Sequence, residues 1–179
     1  MSDSAILAWN NYFVTIAAVS ATLAGLLFVG LTISLSQVLQ GYGYLSRAFT
    51  ALFMQFEMLL LAFFGIVPGQ PAWVLGSEFI VTGASILTGI SIFAYHFPES
   101  ALSAVLGSRG PRTVRAILGY GGTLLPVVTG IGLIWGEPKS LYLLIPSEIA
   151  ALYLSIGNAW VFAVEIPRRA QLAELREKD

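Results

Sequence analysis

Three carboxylates interrupt otherwise apolar stretches of this chain: Glu57, Glu78 and Glu148. A charge held mid-bilayer costs at least about 2.5–3.5 kcal/mol, so each needs water, a partner or a proton. No basic residue lies at their depth. Acids in that setting can hold a cation, share protons, or stay protonated and hydrogen bonded. Thr82 and Ser85 follow Glu78 on the same helical face, and Ser155 follows Glu148 on its own. Gln55 and Asn158 add uncharged amides at depth. At the helical rise per residue, Glu57 lies about 15 Å from Arg47, with Glu148 about 12 Å and Glu78 about 9 Å below the turns at the other end. The set reads as a cation or proton path. Glu57, Glu78 and Glu148 line it, Thr82, Ser85, Ser155, Gln55 and Asn158 support it, and Arg47 stands at the cytoplasmic mouth. The plainer reading is of neutral acids bonded to neighbouring helices, with Glu78 and Glu148 also able to reach the interface.

Other chemistries find no residues here. The chain has no cysteine and a single histidine, His96, so thiolate chemistry and His-rich metal sites are excluded. No phosphate-binding glycine loop, zinc-protease helix or nucleophile elbow occurs, and no potassium-filter sequence. The expectation is a protein that is not an enzyme and needs no cofactor or metal. The net charge of −1 offers no basic patch to a nucleic acid.

The elements that must position these acids follow from composition. Of 179 residues, 56% are hydrophobic and 11% charged, where a soluble domain carries about 25% charge. Five apolar stretches reach the roughly 20 residues that a spanning helix requires: 12–36, 48–67, 72–95, 114–135 and 141–164. Gly41-Tyr42-Gly43, Pro68-Gly69-Gln70-Pro71 and Gly136-Glu137-Pro138 separate neighbours. Within the longest link, Leu102, Val105 and Leu106 predict a short helix on the membrane surface. Eight of the nine basic residues (Arg47, Arg109, Arg112, Arg115, Arg168, Arg169, Arg176 and Lys178) fall on one side of a five-span chain, and Lys139 alone on the other. That split places the amino terminus outside and the carboxyl terminus in the cytoplasm. Trp9, Tyr12, Trp73, Trp135 and Tyr142 would form the outer aromatic belt. The fold class expected is all-α integral membrane, a five-transmembrane-helix bundle over 1–166 with a charged cytoplasmic tail over 167–179.

Helices in lipid associate through close backbone approach and polar contacts. Ala17, Ala21 and Gly25 provide a small-residue row in the first span. Ser147, Ala151, Ser155, Ala159 and Ala163 provide a longer one in the fifth. Both are expected to pack inside one bundle, the fifth-span row having a subunit interface as its alternative. Five short-linked helices make a thin bundle, so a homo-oligomer is expected. The tail is read as a short exposed helix, with docking of a cytoplasmic protein as the other reading.

The run Ser20-Ala21-Thr22-Leu23-Ala24-Gly25-Leu26-Leu27-Phe28-Val29 resembles the opening of a group of small uncharacterised bacterial multi-pass inner-membrane proteins, over about residues 10–40. The resemblance implies a bacterial cytoplasmic membrane and carries no site residue. The function expected is a small oligomeric channel or transporter for a cation or proton. The competing expectations are a non-transporting membrane partner or assembly subunit, and a binder of lipid or another apolar ligand between helices.

Overall fold

The computed structural model describes residues 8–40, 42–96, 109–168 and 175. Among them there is no strand. Five helices are long and apolar enough to cross a membrane: Asn10–Ile33, Arg47–Ile66, Ala72–His96, Thr113–Ile134 and Pro138–Arg168. We label the helical elements α1 (Asn10–Ile33), α2 (Leu35–Gln40), α3 (Tyr42–Ile66), α4 (Ala72–His96), α5 (Arg109–Ile134) and α6 (Leu144–Trp160). A 3₁₀ segment over Pro138–Leu143 leads into α6, and a π-helical turn over Val161–Glu165 follows it. The surface helix expected around Leu102 and most of the tail lie outside the described residues.

The boundaries depart from expectation in one place. Helix resumes at Tyr42 where a Gly-Tyr-Gly break was expected, Gly41 itself lying outside the described residues. The first span instead ends at Ser34, whose φ of −106° and ψ of 18° leave the helical region. The two short turns are as expected. Gly69 has φ 70° and Gly136 φ 80°, backbone angles that suit glycine because it lacks a Cβ.

α3 is the hub, packed against α1, α4, α5 and α6. The tightest seam joins α4 to α5: a Cβ built on Gly76 would meet the Gly130 carbonyl oxygen at 2.5 Å, so only glycine fits. α1 lies at the periphery and buries Phe13, Ser20, Leu27 and Gly30. The first three recur every seventh residue, the stripe of a left-handed helix crossing. Its Ala21 and Gly25 are exposed, and a Cβ on Gly25 would meet nothing within 4 Å. The expected packing role of the Ala17, Ala21, Gly25 row is therefore corrected at its second and third members, which turn out of the bundle, while Ala17 is half-buried. In the last span Ser147, Ala151, Ser155 and Ala159 are buried and Ala163 is exposed, so this row serves packing within the chain.

Large apolar side chains point outward on every span. Phe28, Val81, Ile117 and Ile149 are each more than 60% exposed. Glu57, Gln55, Ser147 and Ser155 are instead buried completely. Apolar outside and polar inside inverts the usual soluble arrangement and suits a surface solvated by lipid.

The break and the π turn meet. The Ser34 hydroxyl donates to the Phe162 carbonyl oxygen. A π turn lengthens the hydrogen-bonded ring by one residue, which frees a carbonyl to accept from a side chain. Beyond Ala159 the buried positions are Phe162 and Ile166, four residues apart.

Candidate functional site

The polar interior is built from α3 and α6. On α3, Gln55 and Glu57 are both fully buried and point to different neighbours. Gln55 Nε2 donates to Ser155 Oγ at 2.5 Å and approaches the Ala151 carbonyl oxygen at 3.4 Å. This joins two of the expected supporting residues. Gln55 Oε1 has no hydrogen-bond partner among the described residues.

Glu57 faces the α4–α5 seam. A Cβ on Gly83 would lie 3.4 Å from its Oε1 and 3.4 Å from the Thr123 carbonyl oxygen. A Cβ at Gly83 would only touch the carboxyl, and the close approach that glycine permits there is to Val127, whose Cγ2 would lie 2.7 Å away. The Thr123 hydroxyl interacts with the carboxyl, yet neither carboxyl oxygen nor the hydroxyl attains full hydrogen-bond geometry. Thr123 and Gly83 were not singled out from the sequence. Their lines of sight to Glu57 cross three helices, and no spacing within one helix encodes that.

Glu148 lies elsewhere, on the face of α6 turned to α1 and α3. It is 4% exposed, and neither of its oxygens has a hydrogen-bond partner among the described residues. With Tyr12, Phe13, Ile16, Met58, Leu61, Ala62 and Leu144 it lines a cavity of about 10 Å³ open to a water's centre, room for about one water molecule. Tyr12, on α1, is half-buried beside this cavity. Above it, the Trp9 ring packs edge-on against Tyr12 at 5.1 Å and against Tyr142 at 4.9 Å.

Glu78 is held apart from both. Gln70 Nε2, in the 68–71 turn, donates to its Oε2 at 2.5 Å, so the acid is tied to the end of the bundle. Thr82 is buried, whereas Ser85 is exposed and donates to the Val81 carbonyl oxygen of its own helix. The Glu78, Thr82, Ser85 face therefore does not present one continuous lining. Asn158 is buried on α6, three residues beyond Ser155. Arg47 is half-buried at the opposite end of α3 from the 68–71 turn. The three acids thus have three separate sets of neighbours. Among the described residues no group of three or more His, Cys, Asp or Glu could hold a metal ion.

No protein-family model, curated protein or solved structure matches this chain.

Proposed function

We propose that this protein is a small transporter of a bacterial cytoplasmic membrane, with its amino terminus outside, and that the cation it moves or couples to is the proton. Glu57 and Glu148 are the proton-carrying groups. The observation that carries this reading is a pair of carboxyl side chains, 0% and 4% exposed, with no basic side chain among the described residues set against either one. A dehydrated metal ion such as calcium takes roughly six to eight oxygen ligands. Around Glu57 the donors are the Thr123 hydroxyl and nearby backbone, too few for such an ion and enough for a proton. Glu78 is assigned to holding the 68–71 turn, since Gln70 already occupies its carboxylate. Lipid-exposed faces on every span favour bilayer contact over burial in a large complex. A homo-oligomer remains part of the proposal, with the outward Ala21 and Gly25 face of α1 available for it.

Proton flux in proteoliposomes tests the reading. Wild-type protein should dissipate a pH gradient faster than empty vesicles, alone or with a co-transported solute, and Glu57→Gln and Glu148→Gln should each abolish the difference. Wild-type flux equal to that of empty vesicles under every gradient would overturn transport in favour of a non-transporting membrane partner.

A further inference from the structure

We infer that Ser147 is a positioning residue for Glu57: its hydroxyl takes the α5 carbonyl that Pro126 leaves without a helix donor, and so holds the turn carrying Thr123 against the acid. This rests on the proton-transport reading and adds to it a residue that acts on Glu57 from another helix. Pro126 stands inside α5 and is buried there. Proline has no N–H, so the carbonyl four residues back, that of Gly122, lacks the donor that an unbroken helix would give it. Within a bilayer a carbonyl freed in this way is satisfied by a neighbouring helix or side chain. Ser147 Oγ, on α6, donates to the Gly122 carbonyl oxygen at 2.7 Å, and Ser147 is fully buried. Other hydroxyls in these spans take a different course. Those of Thr15, Thr22, Ser85 and Thr88 each donate to the carbonyl four residues back on their own helix. The Ser147 hydroxyl crosses instead to the carbonyl that the proline strips.

The same turn of α5 reaches Glu57. A Cβ on Gly122 would lie 3.2 Å from the Ala150 Cβ of α6 and 3.3 Å from the Met54 Cε of α3, so three helices meet at this glycine. The next residue, Thr123, is fully buried and its hydroxyl interacts with the Glu57 carboxyl. The Thr123 carbonyl oxygen and Glu57 Oε1 are both within 3.4 Å of where a Gly83 Cβ would stand. Consecutive residues thus have separate duties: Gly122 is held by α6, and Thr123 is presented to the acid. A helix bends most readily at its proline. Without the Ser147 bond the 122–126 turn is free to tilt, and Thr123 tilts with it.

Infrared spectroscopy of the full chain in lipid nanodiscs tests the assignment apart from flux. The Glu57 band is the one lost in Glu57→Gln, followed through a pH titration so that the acid and carboxylate forms are both assigned. Ser147→Ala should shift that band, its acid form to higher frequency, as a carboxyl does when its hydrogen bonding weakens. Ser155→Ala removes a different buried hydroxyl of α6, the one that meets Gln55, and should leave the band in place. Pro126→Ala restores an N–H for the Gly122 carbonyl, so adding Ser147→Ala to that variant should produce no further shift. A Glu57 band unmoved by Ser147→Ala overturns the assignment. So does an equal shift in Ser155→Ala, or an undiminished Ser147→Ala shift in the Pro126→Ala background. An unmoved band with Glu57-dependent flux would sink the positioning role and leave the transport reading standing. The expected shifts in a protein without flux would do the reverse.

Discussion

Gln55 on α3 and Ser155 on α6 share a hydrogen bond of 2.5 Å in the fully buried interior. It links the hub helix to the last span across 100 residues of sequence. In lipid such bonds average about 0.6 kcal/mol and reach about 1.7 kcal/mol. A double-mutant cycle of Gln55→Leu and Ser155→Ala, read by unfolding in mixed micelles, should return a coupling in that range. A coupling of zero would mean that the contact is packing alone.

The α4–α5 seam predicts a contrast among glycines. Gly76→Ala should destabilise by about 1–3 kcal/mol, because its Cβ would press on the backbone oxygen of Gly130. Gly25→Ala should be neutral or slightly stabilising, since the site is open and alanine favours helix. Thermal melting of the two variants in one detergent checks the ordering.

Glu57→Met should raise stability by about 1 kcal/mol or more and abolish flux. A buried carboxyl with incomplete hydrogen bonding is a cost that an apolar group of similar volume removes. Loss of stability in this variant would make the carboxyl a structural element, and the Thr123 contact would then be worth more than its geometry indicates.

Ser34→Ala should cost about 1 kcal/mol, the ordinary contribution of one hydrogen bond. The loss removes the donor to Phe162 at the π turn. Pulsed spin-label distances between α1 and the last span should broaden in this variant and stay sharp in Thr32→Ala, whose hydroxyl bonds only within α1, to Phe28.

Membrane depth can be checked residue by residue. Spin labels at cysteines replacing Phe28, Val81 and Ile117 should be relaxed by oxygen and shielded from a water-soluble nickel complex, because these side chains face outward. A label replacing Lys139 should show the opposite.

The five spans were legible because a run of some 20 apolar residues has few other uses, and the turns at Gly69 and Gly136 because positive φ selects glycine. The buried row Ser147, Ala151, Ser155 was legible from spacing alone. Spacing identifies a face without saying what covers it. For that reason Gly83 and Thr123 beside Glu57, Tyr12 beside Glu148, and Gln70 on Glu78 could not be read from the chain. The same limit explains the error over α1, where Ala21 and Gly25 had the right spacing and the wrong exposure. On the same helix the Thr15 and Thr22 hydroxyls each donate to a carbonyl of their own helix.

The Gly76–Gly130 contact has no rotamers to switch, so α4 and α5 are held there backbone to backbone. The α4–α5 seam is the closest backbone packing in the bundle, and α3 packs against both helices beside it. Glu57 faces that seam from α3, within contact distance of both Gly83 and Thr123, so a side chain larger than hydrogen at Gly76 or Gly130 would press on the same seam that this acid faces.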